Sequence, residues 1–112
     1  MIKDILTAAG ILAEQGRFLR QPAGTYAVWF DDQDVNGPDA VPNLGADFPV
    51  AITHTVMVEM YEEIPDPASE KTFERQLRAH GITHWTKEDR EWIPDAGRYL
   101  VRYDEITYNT KE

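Results

Sequence analysis

The sequence predicts a single α+β domain, with a mixed, mostly antiparallel sheet of about four or five strands flanked by two helices. Two long runs, Val50–Tyr61 and Arg98–Tyr108, alternate in polarity and are rich in β-branched or aromatic residues. A helical segment with a start and a stop signal lies between them. The expected element order is α-β-β-α-β-β. A chain of 112 residues favours one domain, residues 1–112, with one core.

The first helix is expected over about residues 2–15. Its apolar positions follow the helical repeat: Ile2, Ile5, Leu6, Ala9, Leu12 and Ala13. Gly16 then stands where a left-handed residue commonly follows a helix.

A short aromatic strand, Tyr26–Phe30, is expected next, followed by a long polar loop over Asp31–Pro49. This segment contains three Pro, two Gly and five Asp. Loops of such length are usually functional or disordered, and a hairpin tip within it stays open as an alternative. In the strand after the loop, Val56, Val58 and Met60 are expected to face the core.

The second helix is the segment on which the local signals agree best. Asp66 suits the N-cap position, and Phe73 and Leu77 form an apolar stripe. Gly81 is expected to end the helix, which would place Ile82 against Leu77.

The last third of the chain is expected to be mainly extended. Thr83–Trp85 is interpreted as a short strand and Trp92–Ile93 as another. Pro94–Gly97 is a turn, because proline presets one backbone angle and glycine permits the next. The strand Arg98–Tyr108 follows, and Asn109–Glu112 is expected to be a tail.

The charge and composition exclude several functions. The formal net charge of −9 repels phosphate backbones, which disfavours sequence-independent nucleic-acid binding. Such charge serves solubility, or it lines a passage through which DNA slides without sticking.

The absence of cysteine excludes disulfides and thiolate metal sites. There is no apolar run of about 18 residues, and the N-terminus does not look like a signal peptide.

No metal site is expected from the histidines. His80 and His84 are four residues apart, which suits a metal on one helix, but Gly81 is expected to end the helix between them. They are interpreted as a helix-end histidine and an edge-strand histidine.

A calcium site is not expected either. Asp32, Asp34 and Asn36 match the first half of a calcium-binding loop, but Asn43 stands where a bidentate glutamate is required. The ordinary interpretation is a turn built from Asp, Asn and Gly.

The sequence offers no catalytic residue and no cofactor site. No two carboxylates are brought together by their spacing, and Ser69, the only serine, begins a helix. The three tryptophans are interpreted as core or interface anchors, with a ligand cage as the alternative. The candidate interface residues are Asp31, Asp32, Asp34, Asn36, Trp29, Trp85, Trp92, Tyr99 and Tyr103.

The order of the segments resembles the small head–tail joining proteins of long-tailed, siphophage-type phages, of the tail terminator or tail completion type. The resemblance lies in order and spacing over about residues 2–106, and no catalytic motif defines it. The segments are Ile2–Gln15, Thr25–Phe30, Thr55–Tyr61, Phe73–Ile82, Trp85, Glu91–Ile93 and Tyr99–Glu105. The loop Asp31–Pro49 is longer and richer in Pro and Asp than such proteins lead one to expect.

The resemblance implies a structural virion protein that is not an enzyme. It implies a homo-oligomeric ring, a hexamer, that caps the finished tail tube and docks to the head. The partners would be the tail tube protein and a head-side connector protein. Genome DNA would pass through the lumen without specific binding, and no membrane would be involved. The protein would be assembled in the host cytoplasm and reside in the virion.

Other functions remain open at this point. One is a different head–tail connector component, and another is a small monomeric binding module that uses an aromatic surface. A third is a small metal-dependent enzyme that uses His80 and His84.

Overall fold

The computed structural model describes residues 1–36 and 51–111, and within them the predicted α+β class is confirmed. Two helices and six strands follow one another in the order α-β-β-β-α-β-β-β. They are α1 (Ile2–Ala8), β1 (Leu12–Gln15), β2 (Tyr26–Asn36), β3 (Ala51–Glu62), α2 (Pro67–Ala79), β4 (Thr86–Lys87), β5 (Glu91–Ile93) and β6 (Arg98–Lys111).

The strands form one sheet in the order β1-β2-β3-β6-β4, with β5 also paired to β6. Only β1 and β2 run parallel, and the other pairs are antiparallel. Because β3 pairs with β2 on one side and with β6 on the other, it is the central strand. The even-numbered side chains Val56, Val58 and Met60 of β3 are fully buried, which confirms their predicted core face.

The first helix is shorter than predicted, because it ends at Ala8 and not near residue 15. Gly10 has a φ of +76°. The Gly10 N–H donates to the Thr7 carbonyl, and the Ile11 N–H donates to the Leu6 carbonyl at 3.0 Å. These bonds satisfy the last carbonyls of the helix and turn the chain away.

The residues that follow α1 form β1, parallel to β2. Ala13 is buried, whereas Leu12, expected on the apolar face of a helix, is 58% exposed. Gly16, with a φ of +78°, follows a strand and not a helix, and its N–H donates to the Trp29 carbonyl. Over only four residues, the apolar pattern of a helix and that of a strand look alike. Residues 12–15 form a strand because they pair with β2.

Two segments predicted as irregular belong to the sheet. Asp31–Asn36, predicted as the first part of a loop, continues β2 and pairs with Ala51–Val56 of β3. Asn109–Lys111, predicted as a tail, continues β6. The low strand propensity of Asp and Asn is overcome here because β3 supplies ladder partners along its whole length. Residues 37–49 of the predicted loop, and Glu112, lie outside the described residues.

The second helix confirms its predicted signals. The Asp66 side chain accepts a hydrogen bond from the Ser69 N–H at 3.1 Å, as an N-cap does. The Ile82 N–H donates to the Leu77 carbonyl at 2.9 Å, past a left-handed Gly81. Phe73 and Leu77 are fully buried in the core.

The segments between α2 and β6 are partly as predicted. Trp92–Ile93 lies in β5, and Pro94–Gly97 is a turn in which the Gly97 N–H donates to the Ile93 carbonyl. Thr83–Trp85 is not a strand, since pairing with β6 begins only at Thr86.

A β-bulge divides the long strands into two parts. Val56 pairs with Ile106 and Val58 with Tyr103, so Met57 alone opposes two residues of β6. One of the two, Glu105, has a φ of +56°. Bulges bend a strand and increase its twist. We call the part beyond the bulge the arm, which consists of 30–36 of β2, 51–57 of β3 and 105–111 of β6.

Replacement of Leu77 by Ala should destabilise the protein by about 2–5 kcal/mol, because it removes a large side chain from the centre of the core. The matched control, Arg75→Ala on the exposed face of the same helix, should change stability by less than about 0.5 kcal/mol. Urea titration measures both. Equal midpoints for the two variants would contradict the burial of Leu77.

The left-handed backbone at Glu105 predicts an order of stability for substitutions there. Glu105→Gly should be at least as stable as the wild type, because it relieves about 1–2 kcal/mol of strain at a smaller entropic cost. Glu105→Val should be less stable than the wild type by about 1 kcal/mol or more, since β-branched residues resist positive φ. A Val variant as stable as the Gly variant in urea titration would argue against the bulge.

Candidate functional site

Within the described residues, each of the two outer strands of the arm pairs with β3 on its inner side and has no neighbouring strand on its outer side. On one side, β1 pairs with β2 only over Tyr26–Trp29, so the outer edge of 30–36 has no neighbouring strand. On the other side, β5 and β4 pair with β6 only as far as Asp104, so the outer edge of 105–111 has none either. Such edges present rows of backbone N–H and C=O groups that can bind a further strand.

The sheet face turned away from the helices is polar along the arm. It carries the exposed side chains of Asp32 and Asp34 on β2, Thr55 on β3, and Thr107 and Asn109 on β6. Among the arm side chains that the structure describes, there are four carboxylates and no lysine or arginine. The arm's sequence also contains Lys111, so it carries four carboxylates against one lysine and is acidic on balance.

A hydrogen-bonded network joins the three strands of the arm on the other face. The His54 ring is buried, with Nδ1 2.8 Å from Asp31 Oδ2 and Nε2 2.8 Å from Thr110 Oγ1. The ring also stacks on Tyr108, with centroids 4.6 Å apart. Since a threonine hydroxyl can either donate or accept, both ring nitrogens keep partners whether or not His54 is protonated. The network holds β2, β3 and β6 together and leaves no ring nitrogen for a metal.

The opposite end of the sheet is fixed by an ionic cluster in which two buried carboxylates are bound by partly exposed cations. Arg90 donates from Nε to Glu62 Oε1 at 2.9 Å and from a terminal nitrogen to Glu70. Lys87 lies 2.9 Å from Glu70 and 3.0 Å from Glu74. Glu62 and Glu70 are both buried. The cluster attaches the segment from β4 to β5 to α2 and to the end of β3.

The pKa values of the two buried carboxyl groups of this cluster are shifted in opposite directions. Burial raises the pKa of Glu62 to about 7, and its hydrogen bond to Glu70 adds to this. Burial also opposes the ionisation of Glu70, but hydrogen bonds from Glu62, Lys87 and Arg90 outweigh it and lower the pKa of Glu70. The Glu62 Oε2 atom is buried and has no hydrogen-bond partner among the described residues, which disfavours the ionised form of this carboxyl group.

This carboxyl pair was not predicted from the sequence, where no two carboxylates are brought together by spacing. Glu62 ends β3 and Glu70 lies in the first half of α2, and only the packing of α2 on the sheet brings them together. Because Arg90 binds both groups and Lys87 binds Glu70, the arrangement joins structural elements.

An aromatic depression lies on the open face of the sheet, away from the arm. Phe18 meets Tyr26 edge-on at 5.5 Å, and Tyr26 stacks on Tyr61 at 5.1 Å. These rings line a cavity of about 250 Å³ together with Glu59. Leu12 and Phe30 lie nearby on the same face, and their exposed fractions are 58% and 40%.

The tryptophan cage, the alternative to core or interface anchors, does not form among the described residues. Trp29 is partly buried against the core, and Trp85 packs against the core beneath the Arg78 guanidinium. Trp92 is 49% exposed and contacts Tyr99. No ring contact joins two tryptophans in the part of the chain that the structure describes.

The predicted interface residues do not form one surface. Asp32 and Asp34 are exposed on the arm, whereas Asp31 is turned to His54. Asn36 ends the described part of β2. Trp92 and Tyr99 lie at the opposite end of the sheet. Tyr103 is wrongly included, because its ring is fully buried against Phe73 and its hydroxyl donates to Glu74.

The histidine and calcium patterns have ordinary structural roles. His80 follows α2, and its Nδ1 lies 2.8 Å from the Gln76 carbonyl oxygen, while His84 is exposed. The segment Asp32–Asn36 is a strand and not the expected turn, because it pairs with β3. Within residues 1–36 and 51–111, no group of three or more His, Cys, Asp or Glu residues is placed to hold a metal.

Comparison of the chain with protein-family models, with curated proteins and with solved structures finds no match. Neither α1 nor α2, the helices of the described residues, has the length and apolarity needed to cross a membrane.

The raised pKa of Glu62 predicts that stability falls as pH rises from about 4.5 to about 7. In this window the folded state binds a proton that the unfolded state has lost. The Glu62→Gln variant has no titrating group at this position. Its free energy of unfolding should therefore not show the fall that the wild type shows, which is on the order of 2–3 kcal/mol. The lowered pKa of Glu70 acts below about 4.5, outside the window.

Urea titrations of both proteins between about pH 5 and about pH 8 measure the difference. Glu63→Gln, at the exposed neighbouring position, is the control and should keep the wild-type pH dependence. A Glu62→Gln variant with the wild-type pH dependence would show that Glu62 does not hold a proton in the folded state.

Proposed function

We propose that this chain is a structural virion protein of a long-tailed phage or prophage, which caps the tail tube and joins the tail to the head. Identical subunits form a closed ring, a hexamer, and act by shape without making or breaking bonds. The phage assignment rests on the order of segments in the sequence. The assembly mode is supported by the geometry of the arm.

The observation that carries the proposal is the pair of unpaired edges on the two sides of the arm. A closed ring uses a head-to-tail contact, in which each subunit presents two different patches that fit one another. The outer edges of 30–36 and 105–111 are two such patches on one rigid element. A protein that stays monomeric usually covers or shortens its edges.

The charge of the arm fits the passage of a genome. Asp32 and Asp34 are exposed on its open face, and none of its described side chains is a lysine or arginine. A lumen lined by such a surface would repel the phosphate backbone and let DNA move without specific binding.

A monomeric binding module is the second candidate, and the aromatic depression favours it. A cavity of about 250 Å³ lined by Phe18, Tyr26 and Tyr61 can accept a side chain of a peptide or a small ligand. The two candidates differ in the oligomeric state that each requires.

The ring proposal predicts a single closed oligomer of about six copies when the purified chain is examined by light scattering, alone or with tail tube protein. Tyr61→Ala, which alters the aromatic depression and not the arm, should leave the mass of the oligomer unchanged. A strictly monomeric species at high concentration, with tail tube protein present, would overturn the ring and favour the binding module.

A further inference from the structure

We infer that neighbouring copies of this chain join by pairing the outer edge of β2 in one copy with the outer edge of β6 in the next, in parallel orientation. The arms would then form one continuous sheet around the ring. This inference rests on the proposed ring and names the contact that builds it.

The two edges match in length and in direction. Each comprises seven residues, 30–36 and 105–111. Both strands run antiparallel to β3, and therefore parallel to each other. Rotation about a ring axis brings the β2 edge of one copy beside the β6 edge of the next without reversing either strand, so the new pair is parallel.

The side chains along the two edges are complementary on the open face. Asp32 and Asp34 are acceptors only when ionised, whereas Asn109 carries an amide donor. The Thr107 hydroxyl donates to the Glu105 carbonyl at 3.2 Å within its own strand, so at that position the edge is uncharged. The Asn109 Oδ1 accepts a hydrogen bond from the Thr53 hydroxyl at 2.9 Å, so the amide NH2 group is the part of this side chain that can donate to a carboxylate. A β2 edge paired with a second β2 edge would instead bring carboxylates together, which is unfavourable.

The edges are also ordered before they meet. Asp31 on β2 and Thr110 on β6 both bind the His54 ring, so the two edge strands are joined through β3 within each copy. Binding surfaces that are already rigid lose less entropy on association. The His54 network therefore orders the two edge strands for the contact but is not itself part of the contact.

Cysteine cross-linking tests this contact directly, because the natural chain has no cysteine. The variant Asp34→Cys/Asn109→Cys places one thiol on each edge. Within one copy β3 separates these strands, so their Cα atoms lie about 10 Å apart, beyond the limit of about 7 Å for a disulfide. The second variant, Asp32→Cys/Asn109→Cys, joins positions that differ from the first pairing by two residues and so allows for a shift in register.

Oxidation of at least one double variant should give a ladder of covalent multimers that ends at the ring size on a non-reducing gel. Each single-cysteine variant is a control and should stay uncross-linked. A ring by light scattering without a ladder from either double variant would overturn the edge pairing and leave the proposed ring standing. Dimers from a single-cysteine variant would overturn the head-to-tail arrangement. A species that stays monomeric at high concentration with tail tube protein present would overturn both.

A charge variant gives an independent measurement. Thr107→Asp/Asn109→Asp sets carboxylates opposite Asp32 and Asp34 of the next copy, so the ring should dissociate at low salt while the circular dichroism spectrum stays that of the wild type. Adding Asp32→Asn and Asp34→Asn should restore the ring. Dissociation that these two changes fail to reverse, or an intact ring in the Asp variant, would contradict the contact.

Discussion

The structure depends on the pairing of β3 with a long strand on each side, along its whole length. Every buried backbone N–H and C=O group needs a partner, and β3 obtains its partners from β2 and β6. This pairing draws the acidic residues 31–36 and the polar residues 109–111 into the sheet, although their side chains disfavour strands. Along the arm, within the described residues, it also leaves the outer edge of each flanking strand for solvent or for another chain.

Different interactions fix the two ends of this three-stranded unit. At the arm, His54 holds the edge strands through two hydrogen bonds and a stacked ring. At the other end, Arg90 binds the buried Glu62 and Glu70 and fixes the strands β4 and β5. Breaking a buried ion pair is costly because it leaves an uncompensated charge, so each cluster specifies the arrangement of its neighbours more than it adds net stability.

The features that could be predicted from sequence are those set by neighbouring residues. The Asp66 cap, the Gly81–Ile82 ending, the Pro94–Gly97 turn and the core face of β3 all depend on interactions within a few positions. The strand Asp31–Asn36, the short strand β1 and the pair of Glu62 with Glu70 depend on partners that are distant in the chain. The residue propensities of Asp31–Asn36 disfavour a strand, and those of β1 fit a helix as well as a strand. No spacing rule brings Glu62 and Glu70 together.

The energetics of the proposed edge contact suggest why such a ring would close more readily at the end of the tube than in free solution. A parallel pair of seven-residue edges forms about six hydrogen bonds, each worth about 0.5–1.5 kcal/mol net. The total, about 3–9 kcal/mol, is comparable with the cost of association, about 4–15 kcal/mol. Two copies alone therefore associate weakly. In a closed ring each copy makes two such contacts, and closure is intramolecular, so the complete ring is favoured over open fragments. In the proposed assembly, a tube end that holds several copies side by side would raise their effective concentration and so favour closure there.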